Sequence, residues 1–248
     1  MRNIKLILEY DGTEFCGWQR QRSDRTVQEE VERSLSMLTE EDIKLTAAGR
    51  TDSGVHALAQ VANFKTHSTL PLEVFVRGGN SRLPRDVRIL SAEEVPADFS
   101  ARYSAIRRTY RYYITTRHRA VGRQYAWYYW NPLNLQRMQE ACSEILGTHE
   151  FISFCQAKAE VDHYLCDVRS AWWRREHNYV VFEICANRFL HNMVRVLVGT
   201  MVELGDDKKE SATLTDILLA KDRNAAGPTA PAWGLHLVDV EYETKKDT

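Results

Sequence analysis

The stretch Ala48-Gly49-Arg50-Thr51-Asp52-Ser53-Gly54-Val55-His56-Ala57 lies between two apolar, strand-like runs at 43–47 and 58–64. A connection that only reversed the chain could use Asn-Gly or Asp-Gly and stop there. If the segment is extended, Arg50 and Asp52 point to one face, and the cation keeps the carboxylate ionised. Gly54 would let the backbone turn sharply and leave Asp52 accessible. The alternative is an ordinary turn in which Asp52 caps its own backbone.

The string from Gly49 to Ala57 resembles the signature of the tRNA pseudouridine synthase A (TruA) family, whose usual form has alanine where this chain has Ser53. In that family the aspartate of the signature is the catalytic nucleophile, so the resemblance implies this role for Asp52. It also implies that Arg50 acts in flipping the base and in filling the space that the base leaves. The side chain of Ser53 would point opposite to Asp52, so the difference leaves these expectations intact.

Further segments are similar to the same family, so the resemblance covers nearly the whole chain. It implies that Tyr110 stacks on the target base, that Arg195 forms a salt bridge with the catalytic aspartate, and that Leu235 is an apolar wall of the pocket. Taken alone, Tyr110 and Leu235 are more typical of a core than of a binding site, and Arg195 could be a surface arginine. The segments are Tyr10 to Gln19, Arg108-Thr109-Tyr110-Arg111-Tyr112, Phe189-Leu190-His191-Asn192-Met193-Val194-Arg195, and Ala230-Pro231-Ala232-Trp233-Gly234-Leu235.

The surroundings of Arg195 and the loop before the first helix add two inferences. Helical spacing places His191 and Arg195 on one face, and an arginine among apolar neighbours needs a partner if it is buried. The loop from Phe15 either faces RNA through Arg20 and Arg22 or covers a tryptophan of the core.

Length and composition bound the remaining classes. A chain of 248 residues, 44% of them hydrophobic, allows one large or two small domains with a sizeable core. No apolar run approaches the roughly 18 residues of a membrane helix, so we expect a cytoplasmic protein. Five scattered cysteines without a CxxC indicate reduced core thiols. His163 and Cys166 are the only close His/Cys pair, which is weak evidence for zinc, so we expect neither a metal nor a cofactor.

The distribution of charge is more informative than its sum. The chain carries a net charge of −1 and has a pI near 6.7, which does not by itself indicate a nucleic-acid binder. Between Arg102 and Arg123 there are seven arginines and no acid, so the rest of the chain carries −8. Tyrosines interleave with these arginines, which favours RNA contact over a solvated face. The candidate RNA-binding residues are Arg107, Arg108, Arg111, Arg20 and Arg22.

Apolar periodicity predicts strand, helix, strand, strand, helix, strand in the first half, the order of a split βαβ unit. The elements are a strand at 4–10, a helix opened by a Thr26–Glu29 capping box, strands at 43–47 and 58–64, a helix at 72–83 and a strand at 87–90. The second half has a strand at 109–115, a helix from Asn134 to Gly147, a loop at 149–154, a hairpin at 166–175 and 179–186, a helix at 188–205, a short helix opened by Thr213 and a strand at 235–242.

With the resemblance, these elements imply an α+β fold. Its two ferredoxin-like (RNA-recognition-like) halves, 1–104 and 105–248, would join into one antiparallel sheet with helices on one face. The implied activity is isomerisation of uridine to pseudouridine at positions 38, 39 and 40 of the tRNA anticodon stem-loop, by a homodimer. A non-catalytic RNA-binding module is the alternative. A third interpretation, a small-molecule enzyme, gives the arginine segment no purpose.

Overall fold

The computed structural model describes residues 1–156, 163–206 and 213–243. Helices and strands both contribute, so the predicted α+β class is confirmed. In chain order the elements are β1 (Arg2–Tyr10), α1 (Val27–Thr39), β2 (Thr46–Ala47), β3 (His56–Thr66), α2 (Leu72–Asn80), β4 (Val87–Val95), β5 (Ala105–Thr115), β6 (Trp127–Tyr128), α3 (Leu135–Ser143), β7 (Gly147–Glu150), β8 (Leu165–Glu176), β9 (Tyr179–Ala186), α4 (Met193–Gly205), α5 (Leu214–Ala220) and β10 (Leu235–Tyr242).

The chain divides into two compact units. The first is Met1–Ile106 together with the C-terminal segment from Leu237, and the second is Arg107–His236. Most of β10 therefore belongs to the first unit, whereas the predicted division at 104/105 places the end of the chain in the second half.

The strands of the first unit follow the order β4-β1-β3, with the short β2 on the far side of β3, and each of these pairs is antiparallel. Every second residue of β1 from Ile4 to Tyr10 is buried, as the period of a strand requires. The predicted strand at 43–47 is reduced to Thr46–Ala47, and the one at 58–64 extends to His56–Thr66.

The two helices of the first unit differ from their predictions at their ends. Thr26 precedes α1, but its side chain caps nothing, so the predicted capping box is wrong. The helix α2 ends at Asn80, three residues early. Gly78 and Gly79 lie inside it because a Cβ there would approach Leu38 Cδ1 to 2.9 Å and Ile89 Cδ1 to 2.6 Å. These glycines allow close helix packing.

The strands of the second unit follow the order β5-β9-β8-β7 with antiparallel pairing, and the two-residue β6 runs parallel to β5. The helix α3 packs on β8 and on α4. Asn134, at which the sequence predicts this helix to begin, caps α3 by accepting a hydrogen bond from the Arg137 amide. The segment predicted as a loop at 149–154 instead contributes to β7 and to a 3₁₀ turn at Ile152–Phe154.

Three further features bear on the class of protein. No helix in the described ranges is long and apolar enough to cross a membrane. All five cysteines are free thiols, but Cys16 is exposed and Cys185 half-buried, so the prediction of core thiols is right only for Cys142, Cys155 and Cys166. Burial raises the pKa of the Cys166 thiol to about 12, which disfavours a thiolate there.

Candidate active site

The loop that carries Asp52 (residues 48–55, the Asp52 loop) rests on a second loop (residues 11–18, the buttress loop). The Phe15 carbonyl accepts hydrogen bonds from the Gly54 amide at 3.3 Å and from the Ser53 hydroxyl at 3.1 Å. The Trp18 amide donates to the Thr51 carbonyl at 3.1 Å. The two segments that resemble family signatures in the first unit therefore form one structure, and the serine in place of the usual alanine adds a bond to it.

Two glycines make this contact between loops possible. Gly54 has a φ of 78°, the left-handed conformation predicted for the turn after the acid. Gly17 has a φ of 83°, and a Cβ on it would lie 2.7 Å from the Thr51 carbonyl oxygen. A side chain at Gly17 would push the buttress loop off the backbone next to Asp52.

Buried polar side chains hold the Asp52 loop from beneath. The hydroxyls of Tyr10 and Thr51 share a hydrogen bond of 2.8 Å, and both residues are buried. The Gln60 amide donates to the Gly49 carbonyl at 3.0 Å. Burial raises the pKa of Tyr10 to about 12, so its hydroxyl keeps its proton at neutral pH. No sequence pattern predicts this role for Tyr10 or Gln60, because their partners are distant in the chain.

His56 fixes the other end of the loop. Its ring is 2% exposed, its Nδ1 accepts from the Gly12 amide at 3.0 Å, and Asp11 Oδ1 lies 3.2 Å from the same nitrogen. This bond joins the start of the buttress loop to the start of β3. His56, the histidine of the signature, thus holds the Asp52 loop and the buttress loop in place.

Asp52 itself is half-buried, and its carbonyl accepts from the Val55 amide at 3.1 Å, which closes the turn. Arg50 is exposed, and over the described part of the chain no hydrogen bond or ion pair holds its guanidinium. The pairing of Arg50 with Asp52 expected from an extended segment is therefore not found among the described contacts, and the turn of the loop lies after the acid, at Ser53 and Gly54. Arg50 is available to a ligand.

In the second unit, three of the segments that resemble the family meet. The ring of Tyr110, 8% exposed, meets the edge of Phe189 with centroids 5.1 Å apart. The Tyr112 hydroxyl donates to the Pro231 carbonyl at 2.8 Å, and a Cβ on Gly234 would strike the Tyr112 ring at 2.5 Å. Burial holds the pKa of Tyr112 well above its ordinary value, while the nearby charge of Arg195 acts in the opposite direction.

Arg195 is half-buried and held at two points. Its Nε donates to the Ala230 carbonyl at 2.8 Å, and its Nη1 donates to Asn192 Oδ1 at 2.7 Å. The helix α4 begins only at Met193, so His191 lies outside it and the two residues do not share a helical face as the spacing predicted. Asn192, the residue just before the helix, supplies one of the bonds to the guanidinium.

Leu235 is 5% exposed at the first position of β10. A cleft of about 850 Å³ opens beside Arg195 and is lined mainly by polar groups, among them Gln156, Asn192 and Arg223. Asp52 and Arg50 belong to the first unit, whereas Tyr110, Arg195 and Leu235 belong to the second. The salt bridge between Asp52 and Arg195 stays a prediction.

The candidate RNA-binding arginines differ in how far their charges are compensated. Arg111 pairs with Glu183 across the strands at 2.6 Å, and this hydrogen bond raises its pKa. Arg108 donates to the Asn187 carbonyl, and Arg20 lies 3.4 Å from Glu29. Arg107 is half-buried. Arg22 is exposed and has no ion-pair partner in the described residues.

Within the ranges that the structure covers, no group of three or more His, Cys, Asp or Glu side chains could hold a metal ion. His163 instead faces Arg188, whose Nη1 lies 3.2 Å from its Nε2.

The fold and the two clusters define an α+β protein that presents a half-buried carboxylate on a braced loop and a guanidinium fixed at the start of a helix. The sequence matches the model of the family described as tRNA pseudouridine synthase at residues 6–104 and 141–243. Asp52, Arg195 and Leu235 fall within the matched ranges, and Tyr110 falls between them.

Curated relatives extend over almost the full chain. A protein named tRNA pseudouridine synthase A from Caldicellulosiruptor bescii is 45% identical over 244 residues, 98% of this chain and 100% of the relative. A Halalkalibacterium halodurans protein of the same name is 44% identical and covers 100% and 97%. One from Clostridium acetobutylicum is 43% identical and covers 98% and 100%. The chain belongs to the tRNA pseudouridine synthase family, which is a family of isomerases.

Proposed function

We propose that this protein isomerises uridine to pseudouridine in the anticodon stem-loop of tRNA, at positions 38, 39 and 40, with Asp52 as the nucleophile. The observation that carries the proposal is the Asp52 loop. A half-buried carboxylate follows a buried hydrogen-bonded threonine and stands on a second loop that is itself fixed by close contacts. A reacting group held in this way is positioned before the substrate arrives.

The reaction requires little beyond a nucleophile and an enclosed pocket. The N1–C1′ bond breaks, the uracil rotates, and C5 bonds to C1′, with the C5 hydrogen released and N1 taking up a proton. A carboxylate can assist by attacking C6 of the base, by attacking C1′, or by removing the C2′ proton. In each case Asp52 acts ionised, and the proposed pairing with Arg195 would keep it so.

Aromatic and apolar side chains have a separate role in this proposal. A flipped pyrimidine loses its stacking partners, and a flat ring restores about 1–3 kcal/mol per base. We assign this role to Tyr110, whose ring already lies against Phe189, and assign Leu235 to the apolar wall. Arg50, exposed and without an intramolecular bond in the described structure, would enter the space that the base leaves.

Release of tritium from tRNA carrying [5-³H]uridine tests the activity directly, because the C5 hydrogen leaves only when the new bond forms. We expect release with the wild-type protein and a loss of about 10³-fold or more with Asp52→Asn. Asp42→Asn changes an exposed carboxylate that pairs with Lys44 and should leave the rate unchanged. Absence of release from wild type with several unmodified tRNAs would contradict the proposal, as would full activity of Asp52→Asn.

We also propose a homodimer that binds one tRNA across both subunits and acts in the cytoplasm, where tRNA is found. The arginine-rich segment 102–123 lies in a chain of almost neutral charge, and two copies would double its field. Sedimentation velocity at working concentration should give the mass of two chains, about twice 28.7 kDa. A monomer there would contradict this part of the proposal.

A further inference from the structure

The segment Ala226–Ala230, here called the strap, is the element that positions Arg195. Its last residue forms two bonds with that arginine, because the Ala230 amide donates to the Arg195 carbonyl at 3.0 Å and the Ala230 carbonyl accepts from Arg195 Nε at 2.8 Å. The direction of the guanidinium therefore depends on where the strap lies.

The strap is pressed closely against α4. A Cβ on Gly199 would lie 1.8 Å from the Pro228 carbonyl oxygen, so glycine alone permits the contact. The Gly227 amide donates to the buried Thr200 hydroxyl at 2.9 Å, which in turn donates to the Val196 carbonyl at 2.8 Å. These contacts fix the strap at its middle.

Arg223 fixes the strap on its other side. Its Nη1 donates to the Gly227 carbonyl at 2.9 Å, and its Nη2 donates to the Thr229 hydroxyl at 3.1 Å. The short 3₁₀ turn that carries Arg223 is anchored in its own right, because the Asp222 amide donates to the buried Ser153 hydroxyl at 3.0 Å. Both ends of the Arg223 fork thus connect a fixed turn to the strap.

We infer that Arg223 is a positioning residue for Arg195 and acts through the strap. This inference rests on the proposed function only where activity is measured. A planar guanidinium can bond Gly227 and Thr229 at once, whereas a lysine keeps the charge but cannot reproduce the fork. Loss of the fork removes one of the two sets of bonds that fix the strap, and the Ala230 carbonyl then holds Arg195 Nε less firmly.

The first test is Arg223→Lys with a readout that needs no activity. Amide hydrogen exchange at Ala230 should accelerate about 10-fold, while the interior amide of Val198 in α4 stays unchanged. Thr229→Val removes only one arm of the fork and should give a smaller change in the same direction. Arg175→Lys, an exposed position on β8, is the matched control. Unchanged exchange at Ala230 in both Arg223→Lys and Thr229→Val would overturn the inference.

The second test is kinetic. The single-turnover rate of pseudouridine formation by Arg223→Lys should fall about 10- to 100-fold, because Arg195 is displaced from its place in the site. The affinity for tRNA should stay within about twofold of wild type. In a double-mutant cycle, Arg223→Lys should slow Arg195→Lys no further. Multiplying effects would overturn the inference. An inactive wild type would count against the proposed function alone, because the exchange result stands by itself.

Discussion

At the scale of single residues, uncharged buried side chains hold the backbone just before Asp52. Tyr10 and Thr51 share a buried hydrogen bond, and Gln60 donates both to the Tyr10 hydroxyl at 3.4 Å and to Gly49. A buried hydroxyl left without a partner destabilises a protein more than an intact bond stabilises it. The two hydroxyls therefore depend on each other, and removal of one should disturb the backbone next to Asp52.

This coupling predicts the effect of Tyr10→Phe. Removing the hydroxyl leaves Thr51 without its partner and should lower the free energy of unfolding by about 1–2 kcal/mol. Urea denaturation measures the change, with Tyr103→Phe as control. Tyr103 is 80% exposed, and its substitution should change stability by less than about 0.5 kcal/mol. Equal stability of the two variants would contradict the argument.

The candidate site could be predicted from sequence only in part, and the reason is visible in these residues. Asp52 and the turn at Gly54 are local features that a short string contains. The bond between Tyr10 and Thr51 joins the end of β1 to the Asp52 loop, and no periodicity indicates it. The same holds for the bond of Phe15 to Ser53. Contacts that determine how the acid is held arise between segments.

At the scale of elements, α1 begins where the sequence predicts, but the capping bond from which its start was predicted is not formed. Thr26 precedes the helix, yet its Oγ1 is buried with no hydrogen-bond partner in the described structure. At α5 the same residue type forms a real capping box, in which Thr213 Oγ1 accepts from the Asp216 amide at 3.1 Å. The two threonines form a matched pair.

We predict opposite results for Thr26→Val and Thr213→Val. The first removes an unsatisfied buried oxygen without changing volume and should leave stability unchanged or raise it by about 1 kcal/mol or less. The second removes a helix cap and should lower stability by about 1 kcal/mol. Chemical denaturation of both variants gives the comparison. A loss of stability from Thr26→Val as large as that from Thr213→Val would show that the first hydroxyl does cap α1.

The element boundaries that differ from the predicted ones have physical causes too. The helix predicted at 72–83 contains Gly78 and Gly79, and in the structure these glycines let α2 approach Leu38 and Ile89 before it ends at Asn80. The start of α4 is delayed to Met193 because Asn192 adopts a φ of 63°, outside the helical range. Hydrophobic spacing predicts that an element exists and which face it buries. Its ends depend on the surfaces it meets.

At the scale of the whole molecule, net charge gives little indication of where an anionic partner binds. Several arginines that look available in the sequence are compensated within their own unit, as Arg111 is by Glu183 and Arg25 is by Asp86 at 2.8 Å. A cation that is already paired with an acid neutralises little phosphate charge, so few counterions leave the RNA when it binds there. Exposed and unpaired cations such as Arg22 should dominate the salt dependence of tRNA binding.

The salt dependence of tRNA affinity separates these two kinds of arginine. Arg22→Gln should make the slope of log K against log salt less steep by about one, because one phosphate contact is lost. The double variant Arg111→Gln with Glu183→Gln removes an existing ion pair without changing net charge, and its slope should equal that of wild type. Filter binding across a series of salt concentrations measures both. If the double variant reduced the steepness of the slope as much as Arg22→Gln does, Arg111 would be contacting phosphate despite Glu183. The ion pair would then have to open when tRNA binds.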